Sequence, residues 1–432
     1  MASGFIFNTN SCVNCGSCAA ACVVENGWQI RPRSIISSNP EASLLIPLFN
    51  LSMACNHCEV PACLEGCPAS AYYREPSTGA VVIDESRCIG CRYCLWNCPY
   101  DAPKFDERNK VVGKCNMCHA LVNQGLSPAC ATACPTGALS YGELHMSSER
   151  YPDWFPDKNM NPSVYFSGLP SDEPLRIEPQ SIFRNELPPG PTEERSVSHD
   201  WSLVAFTFLA TLSTSIIVSS LLKGEFAAVP LFAFLILISG LVSLIHLGKP
   251  LRAWMAVSNL RKSSLSREIL LFLVFSLTSL AALILQSPVL LIAASVAGTL
   301  LLFFVDSVYF YSDKRIAMFL NSGQTLLSML IIASFIGALT IPFIFAASVK
   351  LLLSSYSLFR DKGYGLRFKL RFFRVTILVL VLILTVSGSF TGNPEIIAIF
   401  LAGELTDRIL FYLDFNPENI RTAILKEQIR EK

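Results

Sequence analysis

Cys88-Ile89-Gly90-Cys91-Arg92-Tyr93-Cys94-Leu95-Trp96-Asn97-Cys98-Pro99 sets four cysteines at intervals of two, two and three residues and closes on a proline. Cys12, Cys15, Cys18 and Cys22 repeat those intervals. Cys55, Cys58, Cys63 and Cys67 vary them to two, four and three, and Cys115, Cys118, Cys130 and Cys134 to two, eleven and three. Proline follows the last cysteine in three of the four groups, as Pro68, Pro99 and Pro135. Four groups of four account for all sixteen cysteines of the chain.

Such a run is the ligand pattern of bacterial-type [4Fe–4S] ferredoxins, in which the fourth cysteine serves the other cluster of a pair. Three thiolates on one tight loop can reach three irons of a cube. The fourth iron faces away and needs a ligand from elsewhere. The count therefore predicts four cubes with no thiol left over. Zinc is the competing metal, but its structural sites pair C-x2-C knuckles rather than triplets, and zinc does not explain the trailing prolines. A disulfide framework is the other competitor. Met1–Asn10 has neither the pattern of a secretory signal nor a twin-arginine pair, which favours metal ligands. His57 and His119 sit inside groups whose thiolate count is complete, so both are expected beside the metal or on the surface. A chain of clusters serves to move single electrons farther than one hop. No Gly-rich nucleotide loop is present to hold NAD or flavin.

The chain has 432 residues, 52% hydrophobic and 16% charged, against about a quarter charged in an ordinary soluble chain. That deficit excludes a disordered or nucleic-acid-binding protein, and a net charge of +1 gives no global preference for polyanions. The averages cover two unlike halves. Residues 1–145 hold every cysteine and predict an α+β ferredoxin-like domain. Residues 146–196 form a connector with nine prolines, which oppose helix and central strand. Its aromatics Tyr151, Trp154, Phe155, Tyr165, Phe166 and Phe183 predict an extended strap lying on protein rather than a solvated tether. Residues 197–415 have one histidine after residue 200, His246, and eight apolar segments near 201–222, 228–247, 267–286, 288–306, 319–341, 343–359, 371–389 and 394–412. About 20 apolar residues cross a bilayer core, so an all-α, eight-helix transmembrane bundle is expected. The sixth segment is short and carries Lys350. Residues 416–432 are a charged tail.

The four cysteine groups resemble the four-cluster iron–sulfur subunit of the dimethyl sulfoxide reductase family of molybdopterin oxidoreductases. The resemblance implies that the first group pairs with the fourth and the second with the third. The implied cubes are Cys12, Cys15, Cys18 with Cys134; Cys115, Cys118, Cys130 with Cys22; Cys55, Cys58, Cys63 with Cys98; and Cys88, Cys91, Cys94 with Cys67. Nitrate reductase relatives replace one third-group cysteine by tryptophan and hold a three-iron cluster; Cys91 is present here, so four [4Fe–4S] clusters are implied. The apolar half resembles the eight-helix, quinol-oxidising anchor subunit of the same family. That match rests on His246-Leu247-Gly248-Lys249-Pro250-Leu251-Arg252-Ala253, on Leu265-Ser266-Arg267-Glu268-Ile269, and on Gly403-Glu404-Leu405 followed by Arg408, Phe411 and Tyr412. The two subunits, usually separate, are fused in this chain.

By the same resemblance His246, Gly248, Arg252 and Glu268 form a quinol site. Quinol oxidation releases two electrons and two protons. Histidine titrates near neutrality and can take a proton and pass it on, while Gly248 permits close backbone approach. Other readings remain open: an interfacial cap for His246, a positive anchor for Arg252, and a helix cap for Glu268. Asp306 ends the fourth segment and Glu404 lies inside the eighth; ionisable groups there are costly and point to function. Glu404 and Arg408 are spaced as an i, i+4 pair, which fits structural neutralisation or a proton path equally. Tyr309, Phe310 and Tyr311 read as an interfacial belt.

With eight crossings the cysteine domain and the C-terminus share a side. That side carries Lys249, Arg252, Arg261, Lys262, Arg267, Lys314, Arg315, Arg360, Lys362, Arg367, Lys369 and Arg371, then Arg421, Lys426, Arg430 and Lys432 in the tail. The opposite loops offer little beyond Lys223, so the positive-inside rule predicts a cytoplasmic cysteine domain on a prokaryotic inner membrane. The expectation is an electron-transfer and anchor subunit that oxidises a membrane quinol, with menaquinol as a candidate, and feeds a separate molybdopterin subunit carrying Mo or W. One rival is the reverse current of a formate-dehydrogenase-like complex that reduces quinone. Another is a membrane redox sensor without a catalytic partner.

Overall fold

The computed structural model describes residues 3–37, 50–144, 151, 155–156, 158–168, 201–312, 325–360, 365–387, 394–415 and 420. Most of the expected connector, including Trp154, Phe183 and residues 169–196, lies outside them, as do Lys314, Arg315, Lys362 and the charged tail after Ile420. The chain divides into two compact units. One comprises Met1–Thr192, Leu251–Lys262 and Pro417–Lys432; the other comprises Glu193–Pro250 and Ser263–Asn416. The linear order is thus interrupted: a stretch between two apolar segments, Leu251–Lys262, belongs to the cysteine unit.

The cysteine unit is built from short elements, because thiol-bearing loops leave little room for long ones. Strand β1 (Ser3–Asn8) lies between β8 (Leu139–Glu143), antiparallel, and β9 (Val164–Ser167), parallel. Antiparallel hairpins join β2 (Ser34–Ser37) to β3 (Asn50–Met53), β4 (Tyr72–Arg74) to β5 (Val81–Ile83), and β6 (Lys104–Asp106) to β7 (Val111–Gly113). Five short helices complete the unit: α1 (Ser17–Asn26), α2 (Ala62–Gly66), α3 (Tyr93–Asn97), α4 (His119–Val122) and α5 (Ala129–Thr132). α1 packs on α5, and α2 on α3. The cysteine loops turn into helices through left-handed residues: Gly16 at φ 79° before α1, and Arg92 at φ 60° before α3. Of the aromatics expected in the strap, Phe155 and Phe166 are buried, and Phe155 stacks on Tyr100 at 5.2 Å.

The helical unit holds α6 (Trp201–Lys223), α7 (Val229–Ile245), α8 (Ser264–Ile284), α9 (Pro288–Ser312), α10 (Thr325–Ile336), α11 (Thr340–Arg360), α12 (Leu366–Val386) and α13 (Pro394–Asp414). α6 is central, touching α7, α9, α10 and α13. By length and composition α6, α8, α9 and α11 can cross a membrane, and α7 adds a fifth if it is counted together with the bent segment Pro250–Val257. α12 and α13 carry too many ionisable residues to pass by composition, and the described part of α10 is short and apolar. The sixth expected segment is therefore a full-length helix, and Lys350 is buried inside the unit. Outward stripes of Leu231, Phe234, Leu237 and Leu241 on α7, and of Ile341, Phe345, Leu352 and Phe359 on α11, are exposed. Apolar faces of this kind suit a lipid solvent rather than water. These helices form a membrane-spanning region.

Candidate functional site

Helix packing explains which thiols meet. Each pair of cysteines Cys18/Cys22, Cys63/Cys67, Cys94/Cys98 and Cys130/Cys134 is four residues apart, one helical turn. A helix can therefore place its first cysteine in one set and hand its last to the partner helix's set. Cys12 feels the charges of Cys18, Cys134 and Cys15. Cys22 meets Cys130 and Cys118, and Cys115 meets Cys22 and Cys130. Cys58 meets Cys55, Cys98 and Cys63. Cys91 meets Cys67 and Cys88, and Cys94 meets all three. These electrostatic neighbours fit the four sets that the resemblance implies, with Cys18 also acting on Cys22 and Cys130 and Cys55 on Cys115.

The sets also have an order. Cys18 acts on Cys22, so the first set (with Cys12) adjoins the second (with Cys22). Cys55 acts on Cys115, joining the second to the third. Tyr72 feels both Cys63 and Cys94, joining the third to the fourth. Buried side chains occupy these junctions. Arg33, buried, donates from Nη1 to the Ser52 carbonyl at 3.1 Å and to Ser52 Oγ at 3.0 Å, and Ser52 Oγ is 3.3 Å from Cys18 Sγ. Lys114, also buried, donates from Nζ to Cys55 Sγ at 3.3 Å, to the Cys115 carbonyl at 2.9 Å and to the Val81 carbonyl. Burial opposes the charge of both cations, but the surrounding cysteines outweigh it and raise both pKa values.

The donor set fits iron–sulfur clusters. Burial pushes Cys22 and Cys98 up to about 12. Backbone N–H groups aim at sulfur: His57 at Cys55 and Met117 at Cys115, both 3.4 Å; Ala71 at Cys67, 3.3 Å; Leu139 at Cys134, 3.4 Å; Val112 at Cys88, 3.5 Å. Such bonds favour thiolate and tune cluster potentials. A small pocket is lined by Cys67, Cys88, Cys91 and Cys94 with Tyr72, Ile83, Ile89 and Val112. Among the described residues no three His, Cys, Asp or Glu side chains converge on a single ion.

His57 is buried, and its Nδ1 accepts from the Val81 N–H at 3.0 Å. Burial and the nearby Lys114, Arg33 and Arg74 charges hold its pKa well below the usual histidine value, so it stands as a neutral spacer. Arg252 falls in the cysteine unit and donates from Nη1 to the carbonyls of Glu85, 2.8 Å, and Cys88, 3.0 Å. Asn259 donates to the carbonyls of Glu65 and Cys67, at 2.9 and 3.0 Å, and Lys262 pairs with Glu65 at 2.9 Å. Leu251–Lys262 is therefore bonded to the backbone around Cys67 and Cys88.

His246, Gly248 and Glu268 lie in the helical unit. His246 caps the C-terminus of α7, and Glu268 is buried in the second turn of α8. Ser263, not Glu268, caps α8, accepting from the Ser266 N–H at 3.3 Å. The expected Glu404–Arg408 pair gives way to longer-range partners. Lys350 Nζ bonds Glu404 at 2.8 Å, Asp407 at 2.9 Å and Ser328 Oγ at 2.5 Å; Arg374 bonds Glu404 at 2.7 Å. Arg408 reaches Asp306 at 3.7 Å, and Asp306 accepts from Thr325 Oγ1 at 2.7 Å. Packing across helices decided these pairs. Tyr309, expected in an interfacial belt, is buried and shares a 2.6 Å hydrogen bond with Tyr412. The side chains of Phe310 and Tyr311 lie outside the described residues.

Cysteine loops feeding paired short helices, with thiols in ordered sets, define an iron–sulfur electron-transfer protein. A family model described as a 4Fe-4S dicluster domain matches residues 46–144. The chain is similar to a component of the anaerobic dimethyl sulfoxide reductase of Haemophilus influenzae, 35% identical over 34% of this chain and 77% of that protein. It is 33% identical to a subunit of the sulfite dehydrogenase of Allochromatium vinosum, over 32% of this chain and 68% of that one. It is 38% identical to the thiosulfate reductase electron transfer subunit of Salmonella typhi, over 32% and 73%. The chain belongs to the iron–sulfur subunit family of the dimethyl sulfoxide reductase type, here continued by a membrane-spanning helical region.

Proposed function

We propose that this chain oxidises a membrane quinol and passes the electrons through four [4Fe–4S] clusters to a molybdopterin subunit. The observation that carries the reading is the packing of α1 on α5 and of α2 on α3, the short helices that carry or adjoin the four cysteine groups. When bound, each cluster accepts and releases one electron at a time. Cys12, Cys15, Cys18 and Cys134 would hold the first; Cys22, Cys115, Cys118 and Cys130 the second; Cys55, Cys58, Cys63 and Cys98 the third; and Cys67, Cys88, Cys91 and Cys94 the fourth. The fourth set is the entry for electrons. Its support is the bonding of Leu251–Lys262, the segment that joins α7 to α8, to the carbonyls of Cys67 and Cys88. The first set, at the other end, would face the catalytic partner.

In the helical unit His246 and Glu268 are the proton-handling groups for the quinol, and Gly248 leaves room for its ring. Arg252 fixes the joining segment through its two carbonyl bonds. All eight helices would cross the membrane, and the charge bias puts the cysteine unit on the cytoplasmic face. The terminal acceptor is reduced on the partner chain.

The test is anaerobic purification from native membranes in mild detergent, with metals counted per chain. About sixteen irons, four per cube, with molybdenum or tungsten on a co-purifying partner, supports the reading. Zinc without iron overturns it. Reduction of the clusters by a quinol analogue should fall on the order of 10²-fold in H246A; unchanged reduction would remove the quinol assignment while leaving the clusters standing.

A further inference from the structure

Resting on the four-cluster reading, we propose that Lys114 is a fixed cation that raises the reduction potential of the cluster on Cys55, Cys58, Cys63 and Cys98. Its ammonium lies at the junction of the second and third thiol sets. An ammonium has three N–H donors, and all three are engaged: Cys55 Sγ at 3.3 Å, the Cys115 carbonyl at 2.9 Å and the Val81 carbonyl. Two of those acceptors are backbone, so the charge cannot swing towards solvent. Val81 is itself anchored, by pairing with Arg74 and by its N–H bond to His57 Nδ1. His57 in turn donates its backbone N–H to Cys55 Sγ. The frame Cys55–His57–Val81–Lys114 therefore holds one positive charge against one ligand sulfur.

A cation held there acts on one redox state more than the other. One added electron makes a cluster with four thiolate ligands one unit more negative. Lys114 then stabilises the reduced state more than the oxidised state, and in a buried site the effect is little screened. Net charge and hydrogen bonds to sulfur are the terms through which a protein sets such potentials. Arg33 stands at the junction of the first and second sets, and the neutral Tyr72 at that of the third and fourth. Lys114 is a positioning residue: it touches a ligand and not the quinol.

The experiment is a potentiometric titration of the full chain in its membranes, read by EPR, for the parent, K114M, K114Q and K114R. A Cys58→Ser variant identifies the signal of the third set. The equilibrium constant for one-electron reduction of that cluster should fall at least tenfold in K114M and K114Q, about 59 mV, and recover in K114R. Parent potentials in both neutral variants would overturn the proposal. Loss of that cluster's iron in both would also overturn it, leaving a purely structural role. A parent chain without four reducible clusters would instead fail the reading on which the proposal rests, and the role of Lys114 with it.

Discussion

Replacing Lys350 by methionine tests whether the buried ionic network holds the helical unit together. The Lys350 side chain is 4% exposed, and those of Glu404 and Asp407 are 1% and 7% exposed. At 2.8 and 2.9 Å and an effective dielectric near 20, each contact has a Coulomb energy of about 6 kcal/mol. Desolvation of the charges offsets much of it, at several kcal/mol per ion. Lys350, Arg374 and Arg408 balance Glu404, Asp407 and Asp306, so K350M leaves one buried negative charge uncompensated. Breaking a buried pair from one side costs about 3–5 kcal/mol, and that is the expected loss. Removing Glu404's charge as well, in K350M/E404Q, restores neutrality and should recover about 1–3 kcal/mol. The assay is unfolding of the purified chain in graded SDS within mixed micelles. A loss below about 1 kcal/mol in K350M, or no recovery in the double variant, would refute the reasoning.

Gly403→Ala should destabilise the same unit by about 1–3 kcal/mol, because a methyl there meets Ile377 Cγ2 at 2.9 Å and Arg374 Nη1 at 3.2 Å; SDS unfolding of the variant checks it. Cys91→Ala should alter or abolish the EPR signal of the fourth set while the others keep their potentials; a change in all signals would show that the sets are not separate. Arg252→Ala removes two hydrogen bonds from a charged group, so the joining segment should loosen by about 1.5–3 kcal/mol. Faster hydrogen exchange confined to residues 251–262, with iron content unchanged, is the expected result.

Local chemistry was legible in the order of residues. The cysteine intervals name a cluster ligand because three thiols on one loop depend only on neighbours in sequence. Apolar runs likewise announce membrane helices, since a helix of about 20 residues spans the core whatever its partners. Lys350 inside a short segment left α11 uncertain, because composition does not reveal whether a charge has a partner. Resemblance, rather than spacing, implied that Cys12 shares a set with Cys134, 122 positions away in the sequence. The packing of α1 on α5 supplies the physical route.

Other features belong to tertiary structure alone. Glu404 was spaced for Arg408 but bonds Lys350 and Arg374, because buried charges are neutralised by whatever packing brings within reach. Lys114 and Arg33 gave no signal beyond a lysine preceding Cys115 and an arginine after a cysteine loop. Their burial and their hydrogen bonds, Arg33 to Ser52 and Lys114 to Cys55, arise from packing. Leu251–Lys262 read as a loop between membrane segments, yet its hydrogen bonds place it in the cysteine unit. Sequence by itself determined what the chain can bind and which segments lipid would accept, since both depend on residue type over one turn or one span. Only the tertiary structure decided which helices bring the cysteine groups together and which buried charges stand beside them, since both depend on contacts between residues far apart in the chain.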